Sequence, residues 1–235
     1  SLARIAYASK EYHEAIRLFA LSPALESPDE EKLLHALVVI QDIKKAESIL
    51  QKHPLNRFQT LLPLIFQLYN LDLDEDRFHR FYLRTKNENI AYPEGRKKFV
   101  DLSIKRGLQG IHSLLHFQQA LEEAHEEEIK IEWVLKMLVC SKKPEYQDDY
   151  LRLYFKVRSK APNLGPHLPK LNIRSPEDIL RFIQSSHDPH QLRHARLEYH
   201  LLMKERAMEA LKPHSYLAST WNWFWGNEPP PKGDQ

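Results

Sequence analysis

The stretch LARIAYASKEYHEAIRLF, residues 2–19, decides how the rest of the chain is read. Ala3, Ala6 and Ala8 alternate with larger side chains, which lets a second helix lie close. Tyr12, Ala15, Ile16 and Phe19 then follow at the helical spacing of an apolar face. The stretch predicts two short helices meeting at a tight turn, the first unit of a helical array.

Working outward, Ser27-Pro28-Asp29-Glu30 predicts a helix start. Ser27 can cap, Pro28 suits the first helical position, and Glu30 completes a capping box. Leu33, Leu34, Leu37, Val38 and Ile40 continue that helix. Ile43 to Leu50 supplies its partner, ending before Pro54. Ala46 takes the place in this hairpin that Ala15 has in the first, 31 residues earlier. That interval is close to the roughly 34-residue period of tetratricopeptide arrays. Tyr12, His13, Glu14, Ala15 and Ile16, with Leu2 ahead and Phe19 behind, resemble the second half of a tetratricopeptide (TPR) repeat. Leu33, Ala46, Leu50 and Pro54 resemble a second copy. Ala3 and Leu34 stand where that family prefers glycine, and no tryptophan opens either unit. The TPR-like resemblance covers the first quarter of the chain. It implies stacked hairpins whose inner helices, near Arg4, Tyr7 and His35, face a peptide or protein ligand. The family's carboxylate clamp for chaperone tails uses asparagines and lysines. Arg4 stands at its first asparagine, so a chaperone tail is not implied.

Proline-marked helix starts persist along the chain. Pro63 lies inside the pattern of Leu61, Leu62, Leu64, Ile65, Leu68 and Tyr69, so it must kink that helix or shift its start. Asp72, Asp74 and Asp76 invite a calcium loop, but Arg77 and Leu83 stand where such a loop needs glycine and an acid. Asp74 as a cap with acids in the first turn is the better account. Gly107 and Gly110 mark a break before the helix of Leu114, Leu115, Phe117 and Leu121. The acidic block Glu122-Glu123 and Glu126 to Glu128 reads as a solvated helix face. Ile131, Val134, Leu135, Leu138 and Val139 read as the apolar face of the next helix, with Cys140 a buried structural thiol. Residues 160–169 hold three prolines and a glycine and cannot be helix. Ser175-Pro176 and Asp188-Pro189 repeat the capping logic.

Composition narrows the function classes. The 235 residues carry a formal charge of +2, well short of a dedicated nucleic-acid binder. Six glycines argue against phosphate-cradling loops. No run approaches the roughly 18 apolar residues of a transmembrane helix. One cysteine excludes an intrachain disulfide and fits a reducing compartment, so an intracellular, cytoplasmic setting is expected. The chain opens on a helical pattern without a signal peptide, which reads as a domain of something longer or a processed product.

Two constellations stand out. His190, His194 and Glu198 fall at i, i+4 and i+8 on one helix face, where two imidazoles and a carboxylate could chelate zinc. Gln191 stands where a zincin has glutamate, and Arg193 and Arg196 would repel a cation, so a solvated face is the first reading. The segment Ser215 to Trp225 holds three of the four tryptophans. Trp221, Trp223 and Trp225 either finish the core or form an exposed anchor for a partner or a membrane surface.

The chain is thus expected to be all-α, built of consecutive antiparallel helical hairpins as an α-solenoid or curved bundle. Residues 1–160 form the TPR-like array, 161–174 a Pro-rich linker, 175–225 a C-terminal helical segment and 226–235 a flexible tail. The expected function is a protein–protein interaction module, an adaptor or scaffold domain binding a peptide or protein partner. Arg4, Tyr7, His35 and the three clustered tryptophans are its candidate contacts. No catalytic motif, cofactor or small-molecule substrate is indicated. The alternatives are a metal-dependent protein using His190 and His194, and a purely architectural spacer.

Overall fold

Ser1, Asp42 and Asp74 each accept a first-turn N–H group and so set the start of the helix that follows. A computed structural model describes residues 1–22, 25–110, 112–141, 147–171 and 175–211. Every regular element among them is helical. No helix among them is long and apolar enough to cross a membrane. Two compact units divide between Met137 and Leu138.

Unit 1 opens with α1 (Leu2–Ala8), α2 (Tyr12–Ala20), α3 (Ser27–Val39) and α4 (Ile43–Leu50). Consecutive helices pack against one another, and α1 also meets α3. The two hairpin turns share one backbone pattern. Lys10 and Gln41 both adopt a left-handed conformation, with φ of 62° and 61°. Glu11 N–H donates to the Ala6 carbonyl and Asp42 N–H to the Leu37 carbonyl, each at 2.9 Å. The Lys10 and Gln41 N–H groups reach back three residues, to Tyr7 and Val38. These are Schellman caps, which ordinarily favour glycine at the left-handed position. The turns lie 31 residues apart, the same interval as Ala15 and Ala46, and both alanines are fully buried. Asn89 closes the later helix Glu75–Asn87 in the same way, with φ of 55°.

The predicted cap at Ser27 is corrected. Glu26 occupies the N-cap position without a side-chain bond, and Ser27 is already helical. The Ser27 hydroxyl instead accepts from Arg57 Nη2 at 3.1 Å, a tertiary bond invisible to local pattern. Pro63 shifts a start, as expected. A 3-10 helix over Leu55–Leu61 precedes α5 (Leu62–Leu71), which carries the proline in its first turn. Asp74 caps α6 (Glu75–Asn87) by accepting from Arg77 N–H at 2.9 Å. Arg77 pairs with Asp72 and Glu47, so this acidic run is held by its own cation.

The core of unit 1 is aromatic. Tyr69 stacks on Phe81 with centroids 3.6 Å apart, Phe66 on Tyr92 at 4.1 Å, and Tyr82 on Phe99 at 4.2 Å. Arg84 ties α6 to the end of α4 by donating to the Leu50 and His53 carbonyls at 2.8 and 2.5 Å. Two close approaches need glycine. A Cβ on Gly95 would meet the Tyr92 ring at 2.6 Å, and one on Gly107 the Phe117 ring at 2.8 Å. Gly107 therefore lies inside α7 (Pro93–Gln109), and only Gly110, at φ of 93°, ends it. This close packing joins α7 to α8 (Ser113–Glu123). The acidic block is not one solvated helix face. Glu123 accepts from the Tyr82 hydroxyl at 2.8 Å. Glu126–Glu128 is a 3-10 turn in which Glu128 accepts from Arg96.

In α9 (Ile131–Cys140), Trp133, Val134, Met137 and Leu138 are buried, whereas Leu135 and Val139 are exposed. The predicted face is thus rotated, and Cys140 is half-buried.

Unit 2 contains α10 (Gln147–Lys160), α11 (Pro176–Ser185) and α12 (Pro189–Leu211). All three pack on one another. The Pro-rich stretch contains a 3-10 helix, Pro162–His167, where no helix was expected. It belongs to unit 2: Ala161 is fully buried, and the Tyr154 hydroxyl donates to the Pro169 carbonyl at 3.2 Å. Prolines forbid the α ladder here but permit tighter turns, whose fixed φ they share. Ser175 and Asp178 form a full capping box.

Candidate functional site

The surface formed by α1 and α3 is built by the first hairpin. The buried small side chains Ala3, Ala6 and Ala15 hold α1, α2 and α3 close. That closeness brings three rings together. The Tyr7 hydroxyl and His35 Nδ1 lie 3.0 Å apart in a hydrogen bond. Tyr12 packs edge-on to both, with centroids 6.0 Å from Tyr7 and 5.8 Å from His35. Burial, and after it the proximity of Tyr12 and Glu31, raises the Tyr7 pKa above its ordinary value. The phenol therefore keeps its proton.

Tyr7 and His35 line an open pocket of about 250 Å³ with Pro28, Glu31, Lys32 and Leu61. The Glu31 carboxylate accepts from Thr60 Oγ1 at 2.8 Å, and Lys32 lies 3.6 Å from Asp29. The pocket offers a carboxylate, an ammonium, an imidazole and apolar walls. Arg4 does not share that role. Its guanidinium makes a two-point contact with Asp29, at 2.8 and 2.9 Å, and reaches Glu26 at 3.1 Å. The contact with Arg4 holds the Asp29 carboxyl below the usual carboxylate range. Arg4 therefore clamps α1 to the start of α3.

Two of the three hairpin residues named from the sequence thus meet, and the third secures the helices behind them. Trp221, Trp223 and Trp225 lie outside the described residues. Glu31, Lys32, Pro28 and Leu61 line the pocket but are not among the contacts expected from the sequence. Glu31 and His35 stand one helical turn apart, a visible signal. Leu61 arrives only through tertiary packing.

The histidine constellation is dispersed by its neighbours. Glu198 accepts from Arg158 Nη1 at 2.6 Å. Burial, with Arg158, Arg193 and His190 nearby, lowers the His194 pKa. Among the described residues, no three His, Cys, Asp or Glu side chains group to hold a metal ion. A second pocket, of about 410 Å³, runs beside α7, but its lysines are already engaged. Lys105 pairs with Glu75 at 2.7 Å, and Lys98 donates to backbone carbonyls of Asn70 and Asp72 at 2.9 Å.

No protein-family model, curated protein or solved structure matches the chain.

Proposed function

We propose that the chain is a protein–protein interaction module, and that its first hairpins form an irregular TPR-like array presenting the Tyr7–His35 pocket to a peptide. The observation that carries this reading is the pocket itself. An aromatic and imidazole cluster sits beside an acid and a base on facing helices. Its roughly 250 Å³ falls below the 300–1,000 Å³ usual for small-molecule sites. It suits one or two side chains of a peptide whose remaining contacts spread along the neighbouring helices. The matching turns at Lys10 and Gln41 support a repeated hairpin. The role is one of binding, as an adaptor or scaffold, rather than catalysis.

Selection from a random peptide display library tests it. The full chain should enrich a motif whose binding is lost in Tyr7→Ala and His35→Ala. The double variant Glu31→Lys, Lys32→Glu should alter the charge preference of the enriched motif. An enriched motif that binds all variants equally, or no enrichment at all, would refute the reading.

A further inference from the structure

A cleft in unit 2 has a different chemistry. It occupies about 590 Å³ between α10, the end of α11 and the start of α12. That volume lies inside the range of built ligand sites. Arg152 and Lys156 stand one turn apart on α10 and so share a face. Arg181 enters from α11, and Phe182, nearly buried, supplies an apolar surface beside it. Arg152, Lys156 and Arg181 therefore meet in one concavity whose lining holds one carboxylate, Asp188.

Asp188 does not neutralise them. Its Oδ1 accepts from His190 and Gln191 N–H at 2.9 and 3.3 Å, and its Oδ2 from Gln191 Nε2 at 2.9 Å. It is committed to the first turn of α12. The opposing end of α11 is also satisfied. The Phe182 carbonyl accepts from Ser186 N–H at 2.9 Å and from Ser185 Oγ at 3.2 Å. The His187 ring is turned to the Ser185 carbonyl, 3.0 Å from Nδ1.

Two further carboxylates pair with the arginines from one turn away on the same helices. Asp149 lies 4.0 Å from Arg152, the outer limit of an ion pair, and Asp178 contacts Arg181. The arginine side chains are 65% and 73% exposed. The Arg152–Asp149 pair is loose and worth about 0–1 kcal/mol, so that guanidinium can turn to a better acceptor at small cost. Asp178 is nearly buried and keeps Arg181, whose exposed guanidinium has further N–H donors for a second carboxylate.

We propose that this cleft docks an acidic peptide segment, its carboxylates received by Arg152 and Arg181 and an apolar side chain resting on Phe182. Bidentate guanidinium–carboxylate pairing is the chemistry that recognises it. A polyphosphate backbone fits less well. Glu205 and Glu209 are exposed on α12, and the chain as a whole carries only +2. The inference does not rest on the Tyr7–His35 pocket, and either site can fail without the other.

Fluorescence anisotropy with three labelled probes tests it on the full chain: an octa-glutamate with one central leucine, its all-glutamine counterpart, and a single-stranded DNA octamer. The glutamate probe should bind, lose affinity with added salt, and weaken about tenfold or more in Arg152→Glu, Arg181→Glu. The charge-neutral variant Arg152→Gln, Arg181→Gln guards against misfolding and should weaken binding in the same direction, with an unchanged far-UV circular dichroism spectrum. Tyr7→Ala should leave it unchanged. Equal binding of the glutamate and glutamine probes would overturn the proposal. So would undiminished binding in both arginine variants, or tighter binding of DNA that the same variants abolish.

Discussion

Replacing His79 by phenylalanine should remove an acid-sensitive step in the stability of unit 1. His79 is only 5% exposed and stacks on Phe99 with centroids 5.0 Å apart. Its Nε2 is buried and has no hydrogen-bond partner. Burial lowers its pKa from 6.5 to about 4, aided by Arg106 and by His116, with Gln119 and Asp76 opposing in part. The sign follows from which state takes the proton. Above pH 6.5 the ring is neutral in both the folded and unfolded chain and titration contributes nothing. Between 6.5 and about 4 only the unfolded chain is protonated, so stability falls with pH. At about 1.4 kcal/mol per pH unit, the interval amounts to about 3 kcal/mol, fully lost below pH 4. Phenylalanine keeps the stack and cannot titrate. Urea denaturation at several pH values between 4 and 8 should show wild type losing about 3 kcal/mol more than His79→Phe across that window. His116, whose pKa burial also lowers, contributes in both proteins and largely cancels. The Glu128 carboxylate works in a lower window. Arg96 holds it down to about 2, so its contribution is present above pH 4.5 and lost as pH falls toward 2. Ring resonances of His79 followed by NMR give an independent reading. A midpoint near 6.5, or parallel pH profiles for the two proteins, would refute the reasoning.

Gly107→Ala should destabilise the protein by about 1–2 kcal/mol. Overpacking against the fully buried Phe117 costs about 1–3 kcal/mol, of which better helix propensity returns part. Gly165→Ala, where a Cβ meets nothing within 4 Å, is the matched control and should change the urea midpoint little. Gln41→Gly should stabilise by about 0.5–1 kcal/mol, because relief of a left-handed side chain exceeds the added freedom of the unfolded chain. Gln41 is exposed, so no side-chain packing is lost, and a lower denaturation midpoint would contradict the assignment of this turn.

Much of the helical order could be read from the sequence because it is written locally. Pro63, Asp74, Ser175 and Asp188 act within one turn of where they stand, and the structure places them where the pattern does. The hairpin turns were expected, but the left-handed caps at Lys10, Gln41 and Asn89 could not be read, since none carries the glycine that normally marks a Schellman cap. Their geometry is imposed by the packing of the helices they join. Ser27 misled for the opposite reason, its capping oxygen being taken by Arg57 from another helix. In α9 both flanks are apolar, and periodicity alone cannot choose between Leu135 with Val139 and Trp133 with Met137. The candidate site divides in the same way. Tyr7 and His35 were visible through the hairpin resemblance. The engagement of Arg4 by Asp29, and the arrival of Leu61, depend on residues more than twenty positions away.

Lys98 has a practical consequence. Its ammonium sits against the Asn70 and Asp72 carbonyls and 4.4 Å over the Phe78 ring, and burial lowers its pKa. Its neighbour Lys97 is 70% exposed. Amine-directed acylation followed by mass spectrometry would therefore tag Lys97 early and Lys98 late. The ratio of the two tags within one proteolytic fragment is a self-calibrated clock for the opening of α7 from α5. It needs no mutation, dye or purified partner, and can be read in a crude mixture.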